Sequence, residues 1–187
     1  MIRLPRTIRL DPSDSVVFAT AAPPGEWAVP GTFLFADRPY ESLTRKDQIA
    51  FRSGFLGIGS FGHSTLVVVT EATPQDRDDA AHALSVQFVT RLGAPDHETA
   101  LPAALDELAL AEDLCRGHAI GTLIALHRAA EGQAIRETFR TLKPRDETAF
   151  SAGYLRGHDR AFHLVETSDD EDDHGLDLTS LGHTDHA

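Results

Sequence analysis

Two helical stripes stand out along the chain. Between Thr73 and Leu92, apolar residues recur at spacings of three and four: Ala81, Leu84, Phe88 and Leu92. Such spacing places them on one face of a helix. Thr73-Pro74-Gln75-Asp76 forms its start. Thr73 suits the cap, Pro74 the first helical position, and Asp76 the positive end of the dipole. Gly93 and Pro95 stop it. The second stripe joins Leu101, Ala104, Leu105, Leu108, Ala111 and Cys115. It predicts a helix over residues 103–116, with Pro102 in the first turn and Gly117 past the end. A shorter helix through Gln48, Ile49 and Phe51 follows Thr44 and Asp47, spaced as a capping box with Asp in the acidic position.

Elsewhere the period shortens. Ile8 and Leu10 alternate with Arg9, and Val16-Val17-Phe18 is β-prone. EWAVPGTFLF reads as two strand pieces bent at Pro30-Gly31, because proline cannot donate to a central ladder. TLVVVT over residues 65–70 has apolar residues in succession, as a strand buried on both faces would. Residues 122–128 and 134–142 flank Ala130-Glu131-Gly132-Gln133, which predicts a hairpin. Asp146 caps a predicted brief helix through Phe150 and Tyr154, and residues 161–165 read as a last strand. Strands and helices do not alternate regularly. The chain is therefore expected to be α+β, one domain over residues 1–165, with a mixed or antiparallel sheet packed by two to three helices.

Charge changes the picture at one end. No Lys or Arg follows Arg160, and residues 166–187 carry eight of the 29 acids, centred on Asp169 to Asp173. Of the net charge of −12, only −4 belongs to residues 1–165. Dense like charge with little apolar surface cannot offset chain entropy, so residues 166–187 are expected to be a disordered acidic tail. Leu176, Leu178 and Leu181 interrupt it as a candidate partner-docking motif, weighed against a purely solubilising tail. A mildly acidic body argues against nucleic acid and anionic membrane surfaces. No run reaches the length of a membrane span, and the start has no apolar stretch of signal-peptide length, so a cytoplasmic location is expected.

The candidate chemistry is thin. Gly57-Ile58-Gly59-Ser60-Phe61-Gly62 matches a dinucleotide fingerprint, but it follows a helix and precedes a strand, the reverse of what pyrophosphate binding requires. It reads as a flexible glycine-rich loop able to line a pocket, with Arg52, Ser60 and His63 as polar candidates. Phe55 and Phe61 sit beside its glycines as candidate contact points. The ten histidines show no ligand spacing, and one cysteine excludes an internal disulfide or thiolate cluster, so neither metal nor cofactor is expected. Cys115 lies on an apolar stripe as a buried thiol. Arg136 and Glu137 are placed to pair across the hairpin with His127 or Arg128.

RTIRLDPSDSVVF with EWAVPGTFLF, AFRSGFLGIGSFGHSTL, and GTLIALHR followed by IRETFRTL together resemble a family of small proteobacterial proteins known as a domain of unknown function. The resemblance spans roughly residues 6–143 and brings no catalytic residues. It implies an accessory role around redox-enzyme maturation. The expectation is a non-catalytic accessory or adaptor protein acting on an unidentified protein partner. The alternative is a small-molecule site or enzyme at residues 54–62, and a structural subunit of a larger complex ranks third.

Overall fold

The branched run of residues 65–70 lies inside a sheet. In the computed structural model, which describes residues 1–144 and 164–167, β5 (Leu66–Ala72) pairs with β1 (Ile2–Ile8) on one side and β6 (Leu123–Glu131) on the other. β6 continues to β7 (Ala134–Pro144), and β7 to β8 (Leu164–Thr167), giving the order β1-β5-β6-β7-β8 with every neighbour antiparallel. A second antiparallel sheet holds β2 (Ala28–Val29), β3 (Phe55–Gly57) and β4 (His63–Ser64). The fold is α+β, as the pattern predicts. β8 takes Glu166 and Thr167 into the sheet. The acidic run, Leu176, Leu178, Leu181 and the helix expected after Asp146 fall outside the described residues.

β5 is buried on alternate residues, not on both faces throughout. Val67 and Val69 are fully buried, while Leu66 and Val68 are half-buried. Val67 and Val69 pack with Ile124 and Leu126 of β6, with Phe55, and with Cys115 from a helix laid over them. That helix is α4 (His97–Cys115), which packs beside α3 (Pro74–Leu92). α3 starts at the predicted cap, Thr73, which forms a full capping box with Asp76, and ends at Gly93 in the left-handed region (φ 76°). α4 starts six residues before the predicted position. The Asp96 side chain accepts the Thr99 N–H at 2.7 Å and caps it. Pro102 thus lies in the second turn, where its missing N–H would have faced the Glu98 carbonyl.

Three local expectations change. Val16 and Val17 belong to a short helix, α1 (Ser13–Val17), because the Asp11 carboxylate accepts the Ser13 N–H at 2.8 Å and turns the chain. Asp14 within it is buried, bonded to the Thr65 N–H at 3.2 Å and the Thr65 hydroxyl. The second half of EWAVPGTFLF is a 3-10 turn, Thr32–Phe35, entered through Gly31 at φ 76°. The glycine-rich segment is not a flexible loop. It is the hairpin β3–β4, following α2 (Arg45–Ser53), with residues 54–58 buried.

Candidate functional site

The β6–β7 register sets Arg128 directly opposite Glu137, on the face that carries Ile124 and Leu126. Arg128 is one of the largest fully buried side chains in the protein. Burial of a guanidinium demands partners. Its Nε donates to Glu137 Oε1 at 3.0 Å and to the Thr32 hydroxyl at 3.0 Å. Nη1 donates to the Phe51 carbonyl at 3.0 Å and the Gly54 carbonyl at 3.2 Å, and Nη2 to the Pro30 carbonyl. Phe51 lies in the last turn of α2, where carbonyls lack helical donors and the dipole is negative. The arginine therefore caps α2 and ties it to the hairpin and to the turn at Pro30. Desolvation lowers its pKa, while the charges of Glu137 and Glu107 raise it.

α4 crosses above this pair. Leu108, Ala111 and Cys115 face the core, and Glu107, Leu110 and Leu114 lie one step around the helix. There they meet Phe139, Glu137, Pro30 and Thr32 around a cavity of about 400 Å³. A second cavity of about 410 Å³ opens further along α4 between Phe33, Phe88, Leu92 and Ala100, and Glu107 lines it too. The two cavities lie along α4 and share the Glu107 side chain, and the stretch of α4 surface they line is the candidate groove. Burial pushes the Glu107 carboxyl up to about 7, the charge of Glu137 adds to the rise, and Arg128 opposes it. Leu110 is 56 % exposed on the groove wall and Leu92 48 % exposed at its far end.

Of the loop residues singled out in the sequence, Arg52, Phe55, Ser60, Phe61 and His63 line neither cavity. Arg52 is exposed in the last turn of α2. Phe55 is fully buried, its ring 6.3 Å from that of Phe139, so it offers no surface contact. Phe61 is half-buried in the left-handed region (φ 57°), with the Arg91 guanidinium 5.3 Å above its ring. His63 packs against the rings of Phe18 and Phe35 at 5.7 and 6.4 Å. Burial and then Arg128 push its pKa down to about 4, which keeps it neutral near neutral pH.

The Ser60 N–H and hydroxyl both donate to Glu26 Oε2, at 3.2 and 2.8 Å. The Glu26 carboxylate lies against Gly57 and Gly59, which accounts for two of the fingerprint-like glycines. A Cβ on Gly57 would collide with Glu26 Oε2 and lie 2.9 Å from Ala22 Cβ. One on Gly62 would lie 2.9 Å from the backbone of Ala21 and Ala22. These glycines permit close packing.

Other chemistry is limited among the described residues. The Ser85 hydroxyl lies 2.6 Å from His97 Nδ1, a pairing that resembles a nucleophile and its base, but Ser85 is fully buried and also donates to the His82 carbonyl at 2.7 Å. It joins α3 to the start of α4. Cys115 is fully buried, and desolvation pushes its thiol up to about 12, which disfavours the reactive thiolate. Among the described residues no group of three His, Cys, Asp or Glu is placed to hold a metal ion, and no helix is long and apolar enough to cross a membrane.

Sequence reading includes the Arg128–Glu137 pair among its cross-hairpin alternatives, which the register settles, but misses Glu107. Its signal is a second spacing on α4, Ala103, Glu107, Leu110 and Leu114, in which an acid occupies a position otherwise apolar. Compared with known proteins, residues 1–155 match the model of a family of unknown function, DUF6505. No curated protein and no solved structure matches the chain.

Proposed function

We propose that this chain, which belongs to the DUF6505 family, is a non-catalytic accessory protein that holds a protein partner in the groove along α4. The observation that carries this reading is Leu110, 56 % exposed on the wall of a cavity whose apolar lining includes Leu114, Phe139 and Pro30, beside Thr32, Glu107 and Glu137. A large aliphatic side chain at the mouth of an apolar concavity has the form of an interface anchor. The groove is also long. From Thr99 to Leu114 it follows α4 for roughly 22 Å, at about 1.5 Å per helical residue. That length suits a stretch of polypeptide better than a compact metabolite. The earlier alternative, a ligand site at residues 54–62, finds less support, because Glu26 already occupies the space beside Gly57 and Gly59.

Within this proposal the acidic segment with Leu176, Leu178 and Leu181 serves as a second docking element. The setting implied by the family resemblance is a proteobacterial cytoplasm, in company with redox-enzyme maturation.

The test uses a partner identified by cross-linking and mass spectrometry in the native host. Leu110→Asp places a charge where the side chain is mostly exposed, so the melting temperature is expected to stay near that of the unaltered protein. Affinity for the partner is expected to fall about tenfold or more, as for an interface anchor. Undiminished affinity removes the groove from the interface.

A further inference from the structure

The groove has a charge pattern as well as a length. Its two cavities, about 400 and 410 Å³, are apolar at both ends and share Glu107 between them. Glu137 lines the first beside it, and no Lys, Arg or His among the described residues lines either. Arg128 lies buried behind Glu137, its guanidinium engaged by Thr32, Glu137, Phe51, Gly54 and Pro30. Above about pH 7, where Glu107 is ionised, one cation against two carboxylates leaves one negative charge facing the groove. We propose that the segment held here carries a central Lys or Arg with apolar residues on both sides, its cationic head set between Glu107 and Glu137. The inference rests on the reading of the groove as a partner-docking surface and adds the chemistry of the partner.

An extended segment rises about 3.3 Å per residue, so about seven residues span the groove. The central one meets Glu107, which lies near the midpoint between Thr99 and Leu114. The flanking apolar side chains enter the two cavities.

Binding is linked to protons. Glu107 faces Glu137 from β7 and Arg128 from β6, with Asp106 on its own helix. Burial and the two neighbouring acids hold it protonated up to about pH 7. A docked cation offsets that repulsion, favours the ionised form and releases the proton. Affinity therefore rises with pH through neutrality.

The experiment uses the full chain and three fluorescein-labelled heptapeptides, LFSRSFL, LFSQSFL and LFSESFL, read by fluorescence anisotropy at about pH 8 and about pH 5.5. At the higher pH the arginine peptide is expected to bind about tenfold tighter than the glutamine peptide, with the glutamate peptide weakest. The margin is expected to shrink at the lower pH and in Glu107→Gln. Equal affinities for the three peptides, absent binding of the arginine peptide, or a full margin in Glu107→Gln overturns the inference. Octylguanidinium binding with the same pH dependence, while the peptides fail, assigns the site to a small cationic amphiphile and overturns it too. So does self-association that Leu110→Asp abolishes, which assigns the groove to a second copy. If the peptides fail while Leu110→Asp still weakens the native partner, the docking reading stands and the basic segment falls.

Discussion

Arg128→Met is expected to destabilise the protein by about 3–5 kcal/mol, the range for removing one partner of a buried ion pair. The side chain is close in length, so packing alone does not set the loss. It leaves the Phe51, Gly54 and Pro30 carbonyls and the Glu137 carboxylate without their donor in a low-dielectric interior. It also uncouples α2 from the hairpin, because these contacts span residues far apart in sequence. Arg128→Lys keeps the charge but cannot reproduce a fork that reaches five groups, and is expected to recover only part of the loss. Urea unfolding at neutral pH measures both. A loss below about 1 kcal/mol for the methionine variant, the level of a surface pair, would show that the buried cation does not organise the fold.

The second large effect lies in the dependence of stability on pH, where Glu107 and His63 act in opposite directions. The folded pKa of Glu107 is raised from 4.5 to about 7, so between these values the folded state holds a proton that the unfolded state has released. Stability from this group is present at low pH and is lost as pH rises through that window. The folded pKa of His63 is lowered from 6.5 to about 4, so between these values the unfolded state takes up the proton first. Its stability is present at high pH and is lost as pH falls. A full proton of difference gives a slope of at most about 1.4 kcal/mol per pH unit for each group, and solvent at the groove mouth reduces the Glu107 share. Between pH 4.5 and 6.5 the two oppose each other.

Glu107→Gln is therefore expected to give a stability that climbs more steeply with pH than that of the unaltered chain. His63→Gln should give one that falls more as pH rises. Urea midpoints from about pH 4.5 to about pH 8 test this. Profiles parallel to the unaltered protein's in both variants would contradict the assigned environments.

What could be read from the sequence depended on the range of the deciding interactions. α3 was legible because its stripe and its Thr73 cap lie within one short stretch of chain. The β6–β7 hairpin was legible because Gly132 (φ 64°) supplies the turn locally between paired Glu131 and Ala134. α1 was not, because an Asp11 side-chain bond outweighs the β preference of Val16 and Val17. The glycine-rich hairpin was not legible either. The reason for Gly57 is Glu26, and the reason for Gly62 is the backbone at Ala21, both distant in sequence. The groove belongs to the same class. Glu107, Leu110 and Leu114 reveal their neighbours only when β7 and the Pro30 turn arrive beside α4. The local spacing of Ala103, Glu107, Leu110 and Leu114 marks the position of Glu107 but not what its carboxyl faces.

The groove's part in partner capture is tested most directly by placing a photo-reactive phenylalanine analogue in turn at Leu110, Val16 and Ile120, which are 56 %, 71 % and 52 % exposed, and irradiating the full chain with its purified partner. The account predicts cross-linking from Leu110 and little from Val16 or Ile120. Cross-linking from Val16 or Ile120 with none from Leu110 would contradict it.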